Sequence, residues 1–305
     1  MLTFDQYLTP DTLEEALWLW RDAPEGTRLI AGATDILPWA REGRAGDVHL
    51  PALIDVTKIQ ELSGYTVEGG RVRLGANVVY QDFLTDETLR RLLPCMPFCS
   101  IWFADDQIRE QATLAGNLVN ASPAADGTPA VLVLNGSIEL ARLEDGVVER
   151  RTLPVAEFIQ GPGRTLMERG EIVTAVTMDA LDGYGGSFEK VGHRRSLVIS
   201  VACVAAVVKT DASGRNFEDV RLGLGGVGPM AVRLTDIEER LKGQPISSEL
   251  IREACASAAD RVASRSRVAY RRRVVPGFVE AAIEDALAHA GAPYRGEHQR
   301  EIINV

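Results

Sequence analysis

Residues 107–129, QIREQATLAGNLVNASPAADGTP, decide the reading of this chain. They gather a strand-to-turn glycine, closely spaced small residues and polar caps into one loop. Backbone can approach phosphate oxygens only where side chains are small, and amide groups converging on a turn or helix N-terminus complement negative charge. The composition therefore suits a buried diphosphate. Thr113, Asn117, Asn120 and Ser122 add side-chain donors, and Asp126 is an acceptor suited to ribose hydroxyls or other donors. On its own the segment reads equally well as an ordinary loop that opens a helix.

A second segment breaks that balance. Residues 30–38, IAGATDILP, follow a short apolar strand at 28–30 with another small-residue turn, and two such loops can clasp one dinucleotide. Here the chain resembles the FAD-binding subunit, or medium chain, of the xanthine dehydrogenase and carbon monoxide dehydrogenase family of molybdenum hydroxylases. That family's first loop reads A-G-G-T-D-x-x-P and its second Q-I-R-N-x-A-T-x-G-G-N-x-x-x-A-S-P-x-x-D-x-x-P. The resemblance continues through FEKVGHRRSLVISV (188–201), GGVGPMAVR (225–233) and SRVAYRRRV (266–274), so it covers the chain nearly end to end.

The resemblance implies an α+β fold: a two-part PCMH-type FAD-binding domain, then a smaller α+β C-terminal domain of the CO dehydrogenase flavoprotein type. The expected limits are 1–178, with subdomains 1–56 and 57–178, and 187–305. It also implies an oxidoreductase subunit carrying FAD. Electrons would come from a small iron–sulfur subunit, itself supplied by a large molybdopterin subunit, and leave to NAD, a quinone or another acceptor. A higher-order oligomer of heterotrimers is the expected assembly. Two alternatives stay open: an FAD-free docking subunit of such a complex, and a stand-alone FAD oxidoreductase.

Carried over residue by residue, the resemblance makes Ala31, Gly32, Ala33, Thr34, Asp35, Ile36 and Leu37 the wrap around the pyrophosphate and adjoining ribityl chain. Thr113, Gly116, Asn117 and Asn120 hold the other side of the cofactor, and Asp126 points toward adenosine or ribityl hydroxyls. Lys190 reaches in from the C-terminal domain, and Ile172 touches the flavin or adenine region. For Ile172 and Phe188, core packing is the equal alternative. No catalytic side chain and no metal ligand is assigned.

Two positions depart from the family pattern: Ala33 replaces the second glycine of the first loop, and Ala115 the first glycine of the second. A left-handed backbone at either would cost alanine about 1–2 kcal/mol. A cofactor held at nanomolar affinity gains about 12 kcal/mol, so the changes do not require loss of FAD.

The composition, 46% hydrophobic and 25% charged over 305 residues, is that of a globular protein long enough for two domains. Its net charge of −10 disfavours nucleic acid, and the run RRR at 271–273 reads as a solvated helix face or partner contact. The N-terminus, MLTFDQYLTP, lacks the pattern of a secretory signal. The longest apolar run, LVISVACVAAVV (197–208), is too short to span a bilayer and reads as a buried strand.

Cys95, Cys99, Cys203 and Cys255 form no CxxC pair, which points to buried thiols in a reduced, cytoplasmic protein. Histidines 49, 193, 289 and 298 are too scattered for a metal site or a Ser-His-Asp triad, and His193, in HRR, suits a surface or interface. Trp102 reads as a wall of the site.

Local patterns give the remaining elements. Thr12 with Glu15 predicts a capped helix whose apolar face is Leu13, Ala16, Leu17 and Trp20. Strands are expected at 52–56 and 71–78, helices around 80–93, and a hairpin of 137–143 with 147–153 about Glu144-Asp145-Gly146. The Gly-rich stretch DALDGYGG (179–186) is the expected domain boundary. Beyond it come strands at 200–209 and 218–224, then helices at 235–241, 248–263 and 276–290.

Overall fold

The computed structural model describes residues 1–41, 48–194, 197–263 and 266–296; His298 and the end of the expected C-terminal domain lie outside them. The first subdomain is a parallel sheet of β1 (Leu2–Leu8), β2 (Arg28–Ile30) and β3 (Val48–Asp55), in the order β1-β3-β2. Between these strands lie α1 (Leu13–Arg21) and α2 (Ile36–Arg41). Thr12 caps α1 by accepting from the Glu15 amide at 3.1 Å. The Glu15 carboxylate reaches back to the Asp11 amide at 2.9 Å, one residue before the position a standard capping box uses. Strand β1 escapes sequence reading because its five central residues are exposed, leaving no alternation to detect.

The second subdomain carries an antiparallel sheet of β4 (Tyr65–Glu68), β5 (Arg71–Gly75), β6 (Ser137–Glu144), β7 (Val147–Pro154) and β10 (Ile172–Asp179), ordered β4-β5-β10-β6-β7. The hairpin β6–β7 turns at Asp145 and Gly146, both at positive φ. Between β5 and β6 the chain forms six short helices: α3 (Asp82–Thr85), α4 (Glu87–Leu92), α5 (Met96–Trp102), α6 (Asp106–Arg109), α7 (Leu114–Asn120) and α8 (Gly127–Val133). After β7 come α9 (Val155–Phe158) and the ribbon β8 (Ile159–Gly161) with β9 (Arg164–Thr165).

The C-terminal sheet runs β11 (Gly185–Val191), β12 (Ala202–Thr210), β13 (Phe217–Gly225), β14 (Val232–Arg233), all antiparallel. Both its faces are buried. On β12, Cys203, Ala205 and Val207 join the core of the preceding domain, whereas Ala202, Val204, Ala206 and Val208 face α10 (Thr235–Leu241), α11 (Ser248–Cys255) and α12 (Val268–His289). Two-sided burial explains the unbroken apolar run there. At Gly223 an added Cβ would stand 2.5 Å from the Pro129 carbonyl, which shows how closely α8 lies on the sheet.

Two helices differ from expectation. The one expected over 248–263 stops at Cys255 and tightens into a 3-10 segment, Ala256–Arg261. The last begins at Val268, before Pro276, which lies inside it. Proline removes one amide donor there. Arg271 and Val275 are nevertheless buried, and Arg271 donates to the Gly226 carbonyl at 2.6 Å, anchoring the first turns from outside the helix.

Candidate functional site

The first loop leaves β2 and turns into α2. Gly32 is its fulcrum: a Cβ there would fall 1.8 Å from the Gln111 carbonyl oxygen, so the two loop backbones are in direct contact. The next residue, Ala33, has φ of 54°, a left-handed conformation that glycine adopts without strain. Its carbonyl then accepts from the Leu37 amide at 3.1 Å, opening α2.

The second segment is not a loop with a strand-to-turn glycine but mostly helix. Residues 78–80 and 112–114 pair through Tyr80 N to Ala112 O (3.0 Å) and Leu114 N to Val78 O (3.2 Å), fixing the entry to α7. Thr113 caps that helix by accepting from the Gly116 amide at 3.0 Å. Gly116 and Ala115 both lie inside α7, and Ala115 is buried. Its backbone is right-handed, so of the two departures only Ala33 bears the conformational strain.

Residues 31–36 line an inner cavity of 230 Å³ together with Thr113, Gly116, Asn117 and Asn120. It shares Leu29, Thr34, Asp35, Ile36 and Asn120 with an outer cavity of 580 Å³, to which Arg28 and Trp39 also contribute. Asp35 stands at the mouth. Surrounding protein pushes its carboxyl upward, but the side chain stays open to solvent and among the described residues has no ion-pair or hydrogen-bond partner.

Four assigned residues lie elsewhere. Leu37 points outward at 38% exposed and lines neither cavity. Ile172 begins β10 opposite Ala141 and is packed in the main core, as is Phe188. Asp126 and Lys190 find each other. Lys190 Nζ is 2.6 Å from Asp126 Oδ2 and donates to the Trp102 carbonyl at 3.2 Å, while Ser200 Oγ donates to Asp126 Oδ1 at 2.5 Å. This buried network ties β11 to the N-terminus of α8. Burial pushes the Asp126 carboxyl up, with the Lys190 ammonium and the Ser200 hydroxyl opposing.

Sequence reasoning misses one aromatic wall and the ring that backs it. Phe103, rather than Trp102, lines the inner cavity, and the buried Tyr80 stacks on it in parallel at 3.9 Å. Neither sits in a recognisable pattern, and only the register between 78–80 and 112–114 brings Tyr80 there. His193 is exposed, and the four cysteines are buried, Cys95 with its thiol pushed up to about 12 by burial.

The family model for the FAD binding domain in molybdopterin dehydrogenase matches residues 2–178, and that for the CO dehydrogenase flavoprotein C-terminal domain matches residues 187–286. The chain belongs to the FAD-binding subunits of the carbon monoxide and xanthine dehydrogenase family. It is therefore an FAD-binding oxidoreductase subunit of two-domain α+β fold. It is 27% identical to the glyceraldehyde dehydrogenase medium chain of Sulfolobus acidocaldarius, over 88% of this chain and 93% of that one. It is 28% identical to the xanthine dehydrogenase FAD-binding subunit of Escherichia coli O157:H7, over 95% and 99%. A crystal structure of the Cu,Mo-CO dehydrogenase in a cyanide-inactivated form superimposes with a TM-score of 0.85 at 26% identity, covering 94% of this chain and 98% of that one. Among the described residues no helix is long and apolar enough to cross a membrane.

Proposed function

We propose that this flavoprotein subunit passes electrons from the iron–sulfur clusters of a small partner subunit through FAD to NAD, a quinone or another acceptor, while a large molybdopterin subunit oxidises the substrate. The observation that carries the reading is the backbone contact of Gly32, which lines the inner of two adjoining cavities, with Gln111. The residues fit the cofactor. A dinucleotide needs a long groove with backbone free of side chains beside its diphosphate, and Gly32 and Gly116 both line the inner cavity. When bound, FAD supplies the redox chemistry, and the protein supplies position and electrostatics.

In this reading Ala31 to Ile36 hold one side of the diphosphate and ribityl chain, and Thr113, Gly116, Asn117 and Asn120 hold the other. Thr34, Asn117 and Asn120 offer hydrogen-bond donors to phosphate and hydroxyl oxygens, and Asp35 accepts from hydroxyls at the mouth. Lys190 and Asp126 act as a pair, tying the C-terminal domain to the Trp102 carbonyl, next in the chain to the Phe103 wall. We place the domain boundary at 179–186 and, from the four buried thiols, the protein in the reducing cytoplasm.

The relatives act on different substrates by name, among them glyceraldehyde and xanthine, so the organic substrate belongs to the partner. The test is reconstitution. The purified chain should carry flavin absorption bands at one FAD per chain, with at most weak NADH- or dye-linked activity. Hydroxylation should appear only after iron–sulfur and molybdopterin subunits are added. Substrate turnover by the single chain would overturn the proposal.

A further inference from the structure

Asn117 faces the inner cavity, but one end of its amide is already committed: Oδ1 accepts from the Tyr80 hydroxyl at 3.0 Å. Tyr80 cannot easily give up that bond. Its ring is fully buried, stacked on Phe103 and met edge-on by Phe83 at 6.2 Å. The hydroxyl has no other hydrogen-bond partner among the described residues, and a buried hydroxyl is rarely left without one. Burial, reinforced by Cys99, Asp126 and Asp35, raises its pKa well above the ordinary tyrosine value, which favours the protonated, donating hydroxyl. The space is reserved for it: a Cβ at Gly127 would stand 2.1 Å from this hydroxyl and 2.8 Å from Asn117 Oδ1.

An asparagine amide has one accepting oxygen and one donating nitrogen. With the oxygen held, the NH2 group is the end left for the cavity, and among the described residues nothing accepts from it. We propose that Tyr80 is a positioning residue that locks the Asn117 amide with its NH2 toward the cleft, committing that point of the site to acceptor oxygens such as those of a diphosphate. The inference rests on the cleft being the FAD site and adds the element that sets its polarity.

The experiment is titration of deflavinated full-length protein with FAD, followed by flavin fluorescence, beside apo-protein melting curves. Tyr80→Phe keeps the ring and removes the donor, freeing the amide to rotate. It should weaken FAD about tenfold, as losing one charge-assisted hydrogen bond would. Asn117→Ala should weaken it at least as much. The double variant should match Asn117→Ala alone, because Tyr80 acts through Asn117. Asn117→Asp keeps an acceptor for Tyr80 but turns an oxygen toward the ligand, and should bind FAD most weakly of the set. Wild-type affinity in Tyr80→Phe, multiplicative losses in the double variant, or wild-type affinity in Asn117→Asp would each overturn the proposal. If Tyr80→Phe fails to melt cooperatively, Asn117→Asp decides, since it leaves Tyr80 in place. Loss of FAD uptake in the wild-type protein itself would instead sink the site assignment, and this inference with it.

Discussion

The two halves of the cleft are built on different principles. The first loop hangs from a three-stranded sheet with a small core of its own, Ala40, Val48, Leu50 and Leu53, and carries its strain in the backbone at Ala33. The second is set into the main core, where Leu114, Ala115 and Leu118 are buried, and side chains hold it: the Thr113 cap, the Tyr80 hydroxyl and the Lys190–Asp126 pair. One is shaped by where the backbone must go, the other by which side chains meet. A glycine-to-alanine change, identical on paper, therefore has opposite consequences in the two.

Four substitutions can break or sharpen that contrast. Gly32→Val strikes the backbone contact and should be the most damaging, driving the loops apart and weakening FAD about a hundredfold or more, as overpacking against backbone does. Near-normal flavin content in that variant would show that the contact does not shape the site. Gly116→Val meets a softer neighbour, since its Cβ would stand 2.8 Å from Thr113 Oγ1, a side chain that can move. Displacing this cap costs about 1 kcal/mol, so FAD should weaken roughly fivefold in equilibrium titration.

The two alanines then separate the halves by sign. Ala33→Gly relieves about 1–2 kcal/mol of left-handed strain. A more flexible unfolded chain takes back about 0.4–1 kcal/mol, leaving a net gain of about 0–1.6 kcal/mol in denaturant unfolding. Ala115→Gly, inside a right-handed helix, should instead lose about 0.5–1 kcal/mol in the same assay. Shifts of the same sign would remove the distinction between the loops.

The glycine at position 32 is legible in the sequence because close backbone approach leaves few choices: it falls where the Gln111 carbonyl leaves no room for a side chain. The helical character of 107–129 is not legible, because its helices are too short for an apolar repeat and depend on caps such as Thr113. The sequence pattern aims Lys190 and Asp126 separately at a cofactor, and in the fold they pair with each other. A pairing between residues so far apart in the chain leaves no local trace. Ile172 illustrates the same gap, since a β-branched residue at the start of a strand suits core and ligand contact alike. Strand β1 is invisible for the opposite reason, being almost wholly exposed.

The C-terminal sheet, buried on both faces, has a consequence for how the molecule comes apart. With Cys203, Ala205 and Val207 completing the core of the neighbouring domain, a fragment cut at 179–186 would bare an apolar sheet face on one piece and an open core on the other. Neither piece would stay soluble alone, so heating should melt both domains in one transition, and occupancy of the cleft should move that whole transition upward.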